Sequence, residues 1–180
     1  MQPITTERLV IRPFTIDDLD DFLAYQSDPE VRRHLKGDPQ TPAAAADYLA
    51  SQSTLDDELR DAWHDWAIEH SALGHVIGNI GVYLPASDPR RGDLGFQLHP
   101  RFHGHGYARE AARGLIDRLM VDGLLTRLTA SCAESNERSA KLLLALGMIE
   151  TPDAPVGDRS FELRKTIEAL GSAAEGGWHR

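Results

Sequence analysis

The stretch from Asp93 to Val121 constrains this chain most, because its hydrophobic period changes within a few residues and glycine marks the change. Leu94, Phe96 and Leu98 alternate with Gly95, Gln97 and His99, the pattern of a half-buried strand. Pro100 lacks an N–H for a ladder and ends it. From Tyr107 the period is helical, with Ala108, Ala111, Ala112, Leu115 and Leu119 on one face and Arg109, Arg113, Asp117 and Arg118 on the other. Gly104 and Gly106 lie between. A strand, a two-glycine loop and a helix start make a place to hold phosphate. The first helical amides have no intrahelical acceptor, the dipole places positive charge there, and glycine lets the preceding amides turn inward. Residues 99–113 add Arg101, Arg109, Arg113 and three histidines against Glu110 alone, in a chain of net charge -9. A cationic spot on an acidic protein points to a specific anion.

Two familiar phosphate loops do not fit. A Walker loop needs Lys and Ser/Thr after its second glycine, where this chain has Tyr107 and Ala108. A dinucleotide fingerprint needs Gly or Ala in place of Arg109. What fits is Arg-x-x-Gly-x-Gly, Arg101 to Gly106, which resembles the coenzyme A pyrophosphate loop of the GNAT superfamily of N-acetyltransferases. The wider run Leu-His-Pro-x-x-x-Gly-x-Gly-Tyr-Ala-x-Glu-Ala, Leu98 to Ala111, looks like the RimJ/RimL-type branch. Thr-Glu-Arg-Leu-x-x-Arg-Pro at residues 6–13, with Ser-Asp-Pro-Glu-Val at 27–31, is similar to that branch's N-terminus. Asn136-x-x-Ser139-x-x-Leu142-Leu143-x-x-x-Gly147-Met148 is a third GNAT-like match. The resemblance implies a mixed α/β fold: a twisted mixed sheet of about six to seven strands with one splayed pair, flanked by about four helices.

The residues agree with that order of elements. Leu9 and Ile11 alternate with Val10 and Arg12 before Pro13; Thr15 and Asp18 form a capping arrangement ahead of a helix through Gln26. Thr41-Pro42 starts a second helix to Leu49. In the resemblance these two helices wall the acceptor groove. Residues 63–70 and 75–84 read as a hairpin joined by Ser-Ala-Leu-Gly; Gly78 and Gly81 suggest a bulge or close packing. Leu124–Cys132 reads as a strand, Ser135 as an N-cap, Gly147 as a helix C′ residue, and 159–165 as the last strand. One domain over 1–168 and a frayed tail over 169–180 are expected. The family's closing Gly-x-x-His segment, rich in aromatics, has no counterpart here, which leaves acceptor contacts from residues 150–160 unassigned.

Composition bounds the partners. The length allows one domain with a real core. Net acidity argues against a nucleic-acid backbone. No basic-then-apolar leader and no membrane-length apolar run are visible, and the single Cys132 forms no internal disulfide, so a reducing cytoplasm is expected. The eight histidines are scattered, so no metal is expected. Similar proteins commonly dimerise, so a homodimer is an expectation of the resemblance.

Acetyl transfer to an amine needs a neutral nucleophile, support for the carbonyl oxygen and a proton for the departing thiolate. The resemblance carries these tasks onto particular residues, with acetyl-CoA as co-substrate. Gln97, Leu98 and His99 become the splayed edge, the Leu98 N–H or a neighbour meeting the acetyl oxygen. Arg101 and the amides of His103, Gly104, His105, Gly106, Tyr107 and Ala108 hold pyrophosphate, Asn136 contacts the cofactor, and Ser139 protonates the thiolate. Asp93, at the start of the splayed strand, is the candidate base or else a turn residue after Arg91-Gly92; Glu69, His75, His99 and Glu134 are lesser candidates acting through water. Cys132 reads as a small buried apolar group. The acceptor is a primary amine: a protein N-terminus, an amino acid or polyamine, or an amine-bearing small molecule. A silent acyl-CoA sensor and an α/β domain with a plain anion loop are the competing readings.

Overall fold

The computed structural model describes residues 1–34, 37–121 and 123–165. The expected tail, 169–180, lies outside the described residues. Among the described residues, eight strands form one sheet in the order β1-β2-β3-β4-β5-β6-β8-β7. The strands are β1 (Ile4–Thr5), β2 (Leu9–Arg12), β3 (Ala62–His70), β4 (His75–Leu84), β5 (Arg91–Leu98), β6 (Arg127–Ala133), β7 (Ile149–Thr151) and β8 (Asp158–Arg164). The helices are α1 (Leu19–Gln26), α2 (Pro29–Arg32), α3 (Pro42–Ser53), α4 (Tyr107–Val121) and α5 (Glu137–Ala145). The strands beyond the expected six to seven are the short β1 and β7, and the extra helix is the single turn α2; such lengths carry no readable period.

Alternation on the strands sorts the core into two layers. Ile80 and Val82 of β4, with Leu94 and Leu98 of β5 and Leu128 of β6, pack against Ala111, Ala112, Leu115 and Leu119 of α4 and Ala140 and Leu143 of α5. On the opposite face Ala67 and Val76 pack with Phe22 and Tyr25 of α1 and Ala45 and Leu49 of α3. That second layer covers only one end of the sheet, and the rest of the face is the floor of a groove.

The local signals act as their chemistry requires. Thr15 N–H donates to Asp18 Oδ2 at 2.7 Å, and Arg12 grips both oxygens of the same carboxylate at 2.8 Å. Thr41 Oγ1 accepts from Ala44 N–H, with Pro42 in the first turn. The 71–74 loop closes the β3–β4 hairpin, Gly74 taking φ +66°. Both expectations for Gly78 and Gly81 hold. The β3–β4 register shifts at Ile68/Glu69, and a Cβ on Gly78 would fall 2.2 Å from the Gln97 carbonyl oxygen. Two boundaries differ. β6 begins at Arg127, three residues after Leu124, because Gly123 at φ +74° is still turning the chain. The N-cap of α5 is Asn136, not Ser135, since Asn136 Oδ1 reaches the Ser139 amide at 3.1 Å.

Candidate active site

The sheet opens between β5 and β6. These parallel strands pair only at Arg91–Arg127, Gly92–Leu128 and Asp93–Thr129, although β5 runs on to Leu98 and β6 to Ala133. Thr129 Oγ1 donates to Asp93 Oδ1 at 2.8 Å where the strands part. On its other side β5 stays zipped to β4. There His99 N–H donates to the Ile77 carbonyl at 2.8 Å. Alternate residues of an antiparallel strand turn their backbone groups to opposite neighbours, so Gln97 and His99 face β4 while Phe96 and Leu98 face the opening. This corrects the expected edge: the backbones of Gln97 and His99 are spent on the sheet, and Phe96, which sequence reasoning omitted, stands beside Leu98. The Leu98 carbonyl accepts from His103 Nε2 at 2.8 Å, leaving its N–H directed into the gap.

The loop that follows is open where the sequence needs it open. Gly104 and Gly106 take φ +78° and +82°, and a Cβ on Gly104 would meet nothing within 4 Å. Both are exposed. Among the described residues, no backbone or side-chain acceptor takes the amides of Gly104, His105, Gly106, Tyr107, Ala108 or Arg109; the ladder resumes with Glu110 N–H to Gly106 O at 3.0 Å. His103 departs from expectation. Its amide donates to the Pro100 carbonyl at 3.0 Å, and its ring bridges Leu98 and Arg138, so it clamps the loop to β5 and α5 instead of offering a donor. Arg101 is exposed at the loop's start, its amide directed to His99 Nδ1 at 3.2 Å.

The loop is braced from behind. Glu110 accepts from Thr6 Oγ1 at 2.6 Å and from the Arg8 amide and Nε at 2.7 and 2.8 Å. Arg8 reaches the His105 carbonyl at 3.1 Å and lies 4.5 Å over the Tyr107 ring, whose hydroxyl meets His70 Nε2 at 3.0 Å. Burial pushes the Glu110 carboxyl up, but the hydrogen bonds from Thr6 and Arg8 outweigh it and hold the group below its ordinary range.

A continuous cavity of about 690 Å³ runs through the opening from the α4–α5 side to the groove face. It brings together Asp93, Gln97, Leu98, His103, Ala108, Asn136 and Ser139 from the expected set. Glu69, His75, His99 and Glu134 do not line it, and Glu69 is bound to Arg12 at 2.6 Å. Burial pushes the Asp93 carboxyl up, against the Thr129 hydrogen bond and nearby Arg91. Asn136 Oδ1 is committed to the Ser139 amide, and Asn136 and Ser139 line the cavity side by side. Cys132 is only half buried and lines the cavity, which corrects its reading as a core residue; burial raises its thiol pKa.

Sequence reasoning missed the groove floor. Trp63, Asp65, Asn79 and Gly81 line the cavity from β3 and β4. Asp65 Oδ2 accepts from Tyr48 Oη at 2.8 Å and Asn79 Nδ2 at 2.7 Å. Burial pushes the Asp65 carboxyl up to about 6, against those two hydrogen bonds and the nearby Trp66 amide. Two strands must be in register before these residues meet, and the only local signal was an aspartate inside an apolar run.

The fold and the opening define a class, and the comparisons agree. Residues 8–149 match the acetyltransferase (GNAT) domain family. The chain belongs to that family and is an acetyl-CoA-dependent acyltransferase. It is 31% identical over 146 residues to p20, an uncharacterized N-acetyltransferase of Bacillus licheniformis, spanning 81% of this chain and 82% of that protein. Its fold is similar to the ribosomal-protein-S5-alanine acetyltransferase of Vibrio fischeri, with TM-score 0.76 and 18% identity over 91% of this chain and 97% of that one. The microcin C7 self-immunity acetyltransferase MccE, determined with acetyl-CoA and AMP, superimposes with TM-score 0.76 at 12% identity, over 89% and 94% of the two chains. No described helix is long and apolar enough to cross a membrane. Among the described residues, no three His, Cys, Asp or Glu side chains converge as metal ligands do.

Proposed function

We propose that this protein moves an acetyl group from acetyl-CoA directly to a primary amine, within a single catalytic domain over 1–168. The observation that carries the reading is the continuity of two unpaired backbone surfaces: the Phe96–Leu98 edge and the run of amides from Gly104 to Arg109. The residues fit the co-substrate. A diphosphate suits several inward amides at a helix start with no Cβ in the way, and an extended pantetheine arm suits a strand edge lacking its partner. Acetyl-CoA supplies the acyl group as an activated thioester.

The chain's own groups then divide the work. Leu98 N–H donates to the carbonyl oxygen as it gains charge. Asp93, its carboxyl raised by burial, takes a proton from the incoming ammonium through a file of waters in the cavity, since five residues of β5, about 16 Å, separate it from Leu98. The amine nitrogen bonds to the carbonyl carbon, the carbon–sulfur bond breaks as Ser139 Oγ–H protonates the sulfur, and the second proton shed by the nitrogen returns through water to Ser139 Oγ, leaving the amide, a free thiol and one proton on Asp93. Asn136 holds the helix start so that Ser139 faces the cavity. Neutral Cys132 is not needed, because transfer is direct.

Within the family, the N-terminal Thr6–Pro13 run and the likeness to a ribosomal-protein acetyltransferase support a RimJ/RimL-type placement. The α1–α3 wall meets the acceptor. The test is calorimetric and kinetic: millimolar acetyl-CoA raises the melting temperature, and a primary-amine panel releases thiol. Absence of any melting shift rejects the reading. A shift without release across the panel leaves a cofactor-binding protein without turnover.

A further inference from the structure

On the groove floor two buried acceptor oxygens lack partners, as does the Tyr25 hydroxyl in the layer packed against it. Asp65 and Asn79 are each 6% exposed, and Asp65 Oδ1 and Asn79 Oδ1 accept no hydrogen bond from any described group. The Trp66 amide favours the charge on Asp65 without making a full hydrogen bond to its Oδ1. The hydrogen-bond donors to the carboxylate, Tyr48 and Asn79, are neutral. A buried carboxylate without a counter-charge is costly, so a site that keeps one is built for a cation that arrives from outside.

Two glycines set where that charge sits. Asp65, Gly81 and Gly95 form one cross-strand row on the groove face. A Cβ on Gly81 would fall 2.8 Å from Asp65 Oδ1, and one on Gly95 would fall 3.0 Å from the Trp63 ring. Lacking side chains, these positions let the carboxylate and the indole lie flat over β4 and β5, toward the opening. Trp63, 43% exposed, lines the same cavity, and an indole beside a carboxylate favours a nitrogen cation over a metal ion. The cavity is also lined by the charged or titratable groups Glu30, Arg33, His34, Asp93, His103, Glu137 and Arg138; Tyr25 and Tyr48 are both raised by burial and then by Asp65, and Arg32, on the smaller adjoining cavity, donates to the Gly37 carbonyl.

We infer that Asp65 Oδ1, Asn79 Oδ1 and the Trp63 indole form a cation subsite, so that the acceptor is an amine carrying a second cationic nitrogen. This rests on the proposed transfer reaction and names its substrate class. Asp65 is a specificity residue and not the base: the Leu98 amide lies three residues along β5 and one strand spacing beyond the Asp65–Gly81–Gly95 row, roughly 11 Å away. That gap is too long for direct proton transfer. With the cationic nitrogen about 3 Å from Asp65 and the reacting nitrogen a few ångströms short of the Leu98 amide, a chain of about four carbons between them spans it.

The experiment compares 1,4-diaminobutane with 1-aminobutane as acceptors for the full chain. In the wild-type protein kcat/KM for the diamine exceeds that for the monoamine by about 30-fold or more, mostly through KM. Asp65→Asn, which keeps the shape, collapses that ratio to within about three-fold, while acetyl-CoA still raises its melting temperature. Asn79→Ala reduces the ratio in the same direction by less. A structural role would slow both amines alike and leave the ratio intact; that result, or equal use of the two amines by the wild-type protein, overturns the subsite. The wild-type comparison needs no variant to fold. Turnover of both amines without discrimination leaves the acetyltransferase reading standing, whereas no acetyl-CoA binding removes both.

Discussion

The two ends of the cavity are built on opposite principles. Behind the Gly104–Arg109 loop the charges of Glu110 and Arg8 are answered inside the protein: Glu110 by Thr6 and Arg8, Arg8 also by His105 and Tyr107. What the loop presents to a ligand is backbone. On the groove floor the arrangement is reversed, with buried side chains that lack partners and a carboxylate that burial holds toward neutrality. The donor end thus binds through backbone held rigid by its own contacts, while the acceptor end gives up stability for selectivity.

The largest test of this contrast is Gly106→Val. A β-branched residue at φ +82° is strained, and the loop must shift. The KM for acetyl-CoA rises by about 100-fold, a loss of two or three phosphate hydrogen bonds, with less effect on acceptor KM. An unchanged acetyl-CoA KM breaks the assignment of the loop. Next comes Asp93→Asn. Losing a positioned base costs about 100-fold in kcat, and the acidic limb of the wild-type pH profile, set above the usual aspartate range by burial, disappears. Survival of that limb would move the base elsewhere.

Two stability measurements sharpen the comparison, and their signs differ. Glu110→Gln removes charge-assisted bonds and lowers stability by about 2–3 kcal/mol, or roughly 5–10 °C for a chain of this size. The folded pKa of Glu110 is depressed. Its contribution is therefore complete above the unfolded value near 4 and fades as pH falls through the folded one, so the two melting curves converge in acid. Asp65→Asn does the opposite. The Asp65 pKa is raised to about 6 in the folded state. Wild-type stability therefore falls as pH climbs from roughly 4 to 6, and the variant lacks that fall. The variant melts higher by a few degrees above pH 6; equal melting at pH 5 and 7 for wild type would contradict the buried charge. The smallest effect is Cys132→Ala, which leaves kcat within about two-fold because its thiol is held neutral and has no part in direct transfer.

The same contrast explains what could be read without coordinates. The donor end lies in one run of sequence, Leu98 to Ala111, where a change of period and two glycines announce an amide cradle. Local caps were equally readable: Thr15 with Asp18, Thr41 before Pro42, and Gly147 at φ +87°. Backbone direction was not readable, because whether Gln97 or Phe96 faces the opening depends on the β4–β5 register. The floor was least legible. Asp65, Asn79, Gly81 and Gly95 come from three strands, and only their pairing shows that small residues on two strands make room for large ones on a third.

The parting of β5 from β6 carries one more consequence. A bare strand edge on the outside of a protein recruits other chains and propagates into aggregates. Here the bare edge is indoors, between α4, α5 and the remainder of the sheet, with room for a single slender, extended visitor. Whatever pairs with Phe96 and Leu98 meets walls on its far side, so the same hydrogen-bonding hunger that seeds fibrils ends after one added strand.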